Sequence, residues 1–130
     1  MTKELENRLR QIPVVQKFKY EPSDLNEGMA KLTAPYDPTT NGIFNCFHGG
    51  LLMTLADTAA CAAVLTIAGA DAVVTTTDMN IRFLAPCRSD ATAEAKIIKA
   101  GKTLCPVSVE VRDSQRILVA VAQVTYMRLR

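Results

Sequence analysis

The stretch "HGGLLMTLADTAACAAVLTIAG", His48–Gly69, decides how this chain folds. It predicts one long helix over residues 49–68, with Gly69 placed as its C-terminal stop. The run is almost wholly apolar and small. Alanines at 56, 59, 60, 62 and 63 let neighbouring backbone approach closely, so bulk must come from whatever wraps around the helix. One carboxylate, Asp57, interrupts the run with no local partner in sequence. His48, the only histidine, and the pair Gly49-Gly50 stand just in front.

After this helix the hydrophobic period changes from 3.6 to 2. "AVVTTTDMNIRFLAP" sets Thr77, Met79, Ile81 and Phe83 on one face and Asp78, Asn80 and Arg82 on the other. "ATAEAKIIKAGK" and "TLCPVSVEVRD" alternate in the same way, while "RILVAVAQVTYMRLR" begins apolar on both faces, as a doubly covered strand would be. Ala100-Gly101 and Asp113-Ser114-Gln115 are hairpin turns by composition. Upstream, Leu5, Leu9 and Ile12 define a short amphipathic helix over 2–12 that Pro13 ends. Residues 14–20 read as extended and 28–36 as a strand, and "DPTTNGIFN" as a loop. The expected plan is an antiparallel α+β domain, residues 1–130, with four strands after one swallowed helix.

Composition narrows the function classes. The 130 residues suffice for one sizeable core, and 48% hydrophobic against 22% charged residues is an ordinary globular balance. The net charge of +2 is scattered, which gives no footprint for nucleic acid. Cys46, Cys61, Cys87 and Cys105 form no CxxC pair, and with a single histidine a structural zinc site is not expected. The first residues mix acids and bases without an apolar run, so a cytoplasmic location with free thiols is expected. Residues 48–69 are about as long as a bilayer span of roughly 20 residues. A central aspartate would cost about 2.5–3.5 kcal/mol there, and the one-sided strands need a cover. A core helix, and no membrane, is the expectation.

Asp57 then asks for an explanation. It could pair with Arg82 or bond to Thr54 or Thr58, which would be structural; an unpaired carboxylate in low dielectric carries a penalty of several kcal/mol. A desolvated carboxylate is equally a general base or nucleophile. A lone histidine before two glycines can simply close a loop. A glycine-rich helix start, however, presents backbone N–H groups at a positive dipole end, suited to a polarised carbonyl. Gly49 and Asp57 are eight residues apart, about 12 Å at 1.5 Å per residue. One reacting carbon must lie within about 3 Å of both donor and attacker. One chain cannot satisfy that, but two antiparallel copies can, across a twofold axis.

"HGGLLMTLAD", "TTTDMNIRFLAP" and "KAGKTLCPVSVEVRD", with "IPVVQKF" before and "VAVAQVTYMRL" after, resemble the hotdog-fold acyl-CoA thioesterases of the phenylacetate-pathway and thioesterase-superfamily-member type. The resemblance spans nearly the whole chain. It implies a curved antiparallel sheet of five or six strands wrapped around the helix, a homodimer often paired into a tetramer, and hydrolysis of an acyl-CoA by water. No metal or cofactor is implied, CoA being part of the substrate. By motif position Asp57 would be base or nucleophile, the Gly49 N–H would polarise the carbonyl, and His48 would shape the loop. Thr76 would help orient water or the carboxylate. Phe83–Arg88 and Lys99–Leu104 match stretches that contact CoA, so Phe83, Arg88, Lys99, Gly101, Lys102 and Thr103 are expected there.

Three positions depart from the family pattern. Gly42 stands where an asparagine is common, so Asn41 is expected to serve, with Asn45 as a left-handed turn residue instead. Pro106 falls inside a strand, where a bulge or an edge is expected. The loop between Pro86 and Ala91 is short. Two other readings stay open: a hotdog dehydratase, disfavoured because the only histidine sits at the helix entrance, and a non-catalytic acyl-CoA binding or sensing protein.

Overall fold

The computed structural model describes residues 2–129; the domain expectation over 1–130 also takes in Met1 and Arg130, which lie outside the described residues. Small side chains dictate the architecture. Helix α3 (Gly49–Ala68) presents Leu52, Leu55, Ala56, Ala59, Ala60, Ala62 and Ala63, all buried, to a six-stranded antiparallel sheet. The strands are β1 (Glu21–Asn26), β2 (Met29–Ala34), β3 (Val74–Phe83), β4 (Ala91–Ile97), β5 (Leu104–Arg112) and β6 (Leu118–Arg128), in the order β1-β2-β4-β5-β6-β3. The sheet answers the helix with Ala30, Leu32 and Ala34 of β2, Ala91, Ala93 and Ala95 of β4, and Val107, Val109 and Val111 of β5. The helix lies over β2, β4, β5 and β6 and reaches β3 only at its margin.

Helix α3 satisfies its own hydroxyls, since Thr54 Oγ1 donates to Gly50 O (2.9 Å), Thr58 Oγ1 to Thr54 O (2.7 Å) and Thr66 Oγ1 to Ala63 O (2.6 Å). It stops at Gly69, whose φ of 105° few side chains tolerate. By length and composition alone α3 could cross a bilayer, yet its alanine face is packed against the sheet.

The N-terminal expectation is half right. Leu5 and Leu9 of α1 (Thr2–Arg10) are buried as the spacing requires. Residues 14–20 are not extended, because Pro13 starts a second helix, α2 (Pro13–Phe18), instead of only closing the first. Proline suits the first helical position, where its missing N–H is not needed. Strand β1 has no counterpart in the sequence reading. "EPSDLN" shows no alternation because its register slips between Ser23 and Asn26, leaving only Pro22 and Leu25 buried. As a sheet edge it tolerates proline.

Pro106 is not at a bulge; that irregularity falls between Val111 and Arg112. Its carbonyl accepts from Ile98 N (2.8 Å), which aims its missing N–H at the frayed end of β4, where little is lost. Strand β3 does carry a bulge, between Thr76 and Asp78. The extra residue, Thr77, breaks the two-residue period, so Val74 and Thr76 share the inner face with Met79 and Ile81, and Thr77 is exposed. The expected grouping of Thr77 with Met79 is corrected accordingly.

Close helix–sheet contact through alanine makes added volume costly. Ala60→Leu, at a position with no exposed surface, is expected to lower stability by about 1–3 kcal/mol, read as a fall in the urea midpoint at unchanged slope.

Candidate active site

Helix α3 positions both halves of the site. At its start the free amides are accounted for one by one. Leu51 N and Leu52 N donate to His48 O (2.9 and 3.2 Å), and Gly50 N donates to His48 Nδ1 (2.9 Å). An accepting Nδ1 requires a neutral ring with its proton on Nε2. Only the Gly49 N–H of the first turn is left without an acceptor among the described residues. His48 is thus the N-cap, and it leaves one donor at the positive end of the helix.

Gly49 is small for a reason. A β-carbon there would come within 3.2 Å of Phe83 Cζ, so the Phe83 ring covers the position. A cleft of about 350 Å³ opens alongside, lined by Cys46, Phe47, Gly49, Leu52, Phe83 and Cys87. Cys46 and Phe47 belong to the loop entering α3, and Phe47 N donates to Cys87 O (2.8 Å), which joins that loop to the segment after β3.

Asp57 lies two turns further on, half-buried, and is not tied to Arg82. Its Oδ1 accepts from Thr76 Oγ1 (2.7 Å) and from Tyr126 OH (2.9 Å), while Tyr126 OH also lies 3.0 Å from Asp57 O. No hydrogen bond reaches Oδ2 and no salt bridge reaches either oxygen among the described residues. Thr76 and Tyr126 are direct partners across β3 and β6, and the bulge at Thr77 is what turns Thr76 inward. Burial, with Cys61 and Asp57 beside it, pushes the Tyr126 phenol well above its ordinary value, so it stays a donor. Burial likewise pushes the Cys61 thiol, one turn past Asp57, up to about 11.

The remaining expected residues divide between the two ends of α3. Phe83 and Arg88 stand by its N-terminus, Arg88 Nη2 lying 3.5 Å from Phe44 O. Lys99, Gly101, Lys102 and Thr103 form the β4–β5 connection beyond its far end, since Ile97 N bonds Gly28 O and Gly28 N bonds Thr66 Oγ1. A side chain at Gly101 would run into the Leu104 carbonyl, so that turn requires glycine. Asn41 Nδ2 donates to Tyr36 OH (2.7 Å), and Tyr36 OH donates to Asn45 O (3.1 Å). Asn45 has φ 57°, the left-handed turn role read for it. One chain therefore does not bring Asn41, Gly49 and Arg88 together with Asp57, Thr76 and Lys102.

Against known proteins, residues 44–120, more than half of the chain, match the family model described as the thioesterase superfamily. The chain belongs to the thioesterase superfamily. Candidate esterases of Halobacterium salinarum and Saccharolobus solfataricus are 35% and 30% identical over 62% and 70% of it. The chain spans 57% and 65% of their lengths, under two thirds of either. A thioesterase family protein from Silicibacter pomeroyi superposes with a TM-score of 0.91 at 22% identity, covering 98% of this chain and 97% of that one. A thioesterase from Haemophilus influenzae gives 0.86 at 27%, covering 95% and 87%. The PaaI protein of the E. coli phenylacetic acid degradation operon gives 0.86 at 21%, covering 97% and 96%. The sheet wrapped on α3 is accordingly the hotdog fold.

In this superfamily member the sequence reading missed Tyr126. The phase of β6 could have found it: Ala120, Ala122 and Val124 face inward, so Tyr126 does too, and a buried phenol needs a partner. The cap predicts a separable stability effect. His48→Ala should cost about 0.5–2 kcal/mol and His48→Asn much less, since asparagine also caps; chemical denaturation of the two variants reads the difference.

Proposed function

We propose that this protein is a hydrolase of acyl-CoA thioesters whose active sites are each shared by two antiparallel copies of α3. The observation that carries the proposal is a split pair on one helix: a free Gly49 amide at the start, and an Asp57 carboxylate with one unclaimed oxygen about 12 Å along. Membership of the superfamily supports thioester cleavage, and the same split supports the sharing.

The chemistry needs no further group. Asp57 Oδ2 takes a proton from water as it attacks the thioester carbon, or attacks that carbon itself, giving an anhydride that water then opens. The carbonyl oxygen gains negative charge against the Gly49 N–H of the other copy, where the helix dipole adds to the hydrogen bond. The C–S bond breaks, CoA leaves as thiolate and is protonated, and the acid departs. Arg88, Lys99 and Lys102, exposed around the two helix ends, meet CoA phosphates in this arrangement.

The margin of β3 supports the pairing. The strand has β6 on one side only, and its ten residues leave an unpaired edge. Asp57 of α3 reaches this strand through Thr76, and Met53 and Cys61, one turn either side of it, are only partly buried, as are Met79 and Ile81 of β3.

The tests follow from the division of labour. Asp57→Asn is expected to lower kcat at least about 100-fold with fold and dimer intact. Gly49→Pro removes the donor where His48 already has the extended φ of −62° and ψ of 133° that proline asks of the residue before it, and the exposed Phe83 ring has to shift by a few tenths of an ångström for the new β-carbon. It should be as inactive. Mixed dimers of the two variants should regain up to half of the activity, because one composite site is whole; inactive, verified heterodimers would contradict sharing. Binding of acyl-CoA by the native protein without CoA release would favour the sensing alternative. Single turnover in ¹⁸O water separates the two routes: attack by water labels the released acid, whereas direct attack, with the anhydride opened at the Asp57 carbon, labels Asp57 and leaves the first acid released unlabelled.

A further inference from the structure

We propose that Tyr126 is a positioning residue for this reaction: its hydroxyl, bonded to the main chain and side chain of Asp57 together, holds the carboxylate in one rotamer with Oδ1 occupied and Oδ2 presented. The proposal rests on Asp57 as the attacking or proton-accepting group.

Three features of the geometry converge. First, the phenol is 3.0 Å from Asp57 O and 2.9 Å from Asp57 Oδ1. A single O–H shared between those two acceptors spans the Cα–Cβ bond, so rotation about χ1 breaks it. Thr76, by contrast, reaches Asp57 only at Oδ1, at 2.7 Å, and its hydroxyl lies beside that of Tyr126. Second, a carboxylate oxygen offers two in-plane lone pairs. Two hydroxyls fill those of Oδ1, and the reacting oxygen is Oδ2 by elimination. Third, the support is rigid. Tyr126 is 5% exposed, is paired with Thr76 on one side and Cys105 on the other, and sits on the interior strand β6.

The charged surroundings add no competing hold. Cys61 on α3 is a neutral thiol that lies against the Tyr126 hydroxyl, and Arg8 of α1 donates through Nη1 to Ala72 O (3.0 Å). Among the described residues Asp57 is thus oriented by hydroxyls alone, with no cation paired to it.

Tyr126→Phe removes only the oxygen. The expected result is a fall in kcat of about tenfold, the size of one hydrogen bond to a charged acceptor, with KM within about twofold. Thr76→Val should lower kcat in the same way, and Thr76→Ser should restore it. A second readout does not depend on turnover. Side-chain three-bond couplings of Asp57 should report one χ1 rotamer in the native protein and averaging in Tyr126→Phe. Unchanged couplings, or native kcat in Tyr126→Phe beside an inactive Asp57→Asn, would overturn the positioning role alone. Native turnover in Asp57→Asn would overturn the reaction reading and this role with it.

Discussion

Alanine against alanine is the constraint on which this molecule is built. Because α3 shows the sheet methyl groups at 56, 59, 60, 62 and 63, and β4 replies with Ala91, Ala93 and Ala95, the helix axis lies close to the strands. Larger side chains on both surfaces would hold them apart and flatten the wrap. Closeness is also what allows a phenol on β6 and a threonine on β3 to reach one carboxylate on the helix. The polar cluster is a by-product of tight apolar packing, and it depends on that packing for its distances.

Much of this was legible in the chain. Helix α3 runs from Gly49 to Ala68 and ends at Gly69, because its composition and its stop residue are local signals. The strands after it follow their two-residue alternation for the same reason. Legibility fails where a local rule is broken by tertiary context. Thr77 steps out of phase at a bulge, and strand β1 hides its pairing behind a register slip and two inward residues. Pro13 has two meanings, end of one helix and start of the next, that only packing distinguishes.

The candidate site shows the same division. His48, Gly49 and Asp57 are neighbours in sequence, and their relation follows from the rise of a helix. The hydroxyl partners are not neighbours: Thr76 is 19 residues from Asp57 and Tyr126 is 69. Thr76 was accessible only through family resemblance, and Tyr126 lay disguised among valines and alanines. Asp57 has no partner in its local sequence, and the two distant hydroxyls both meet Oδ1 and leave Oδ2 open among the described residues, an asymmetry that gives the group its direction.

The out-of-step residue in β3 has a consequence of its own. Draw Thr77 into the ladder as a paired residue and the first half of the strand rolls over by half a pleat: Thr75 would point at the helix and Thr76 at water. A single codon lost there, by contrast, straightens the strand and leaves Thr76 opposite Tyr126, so the carboxylate keeps both anchors.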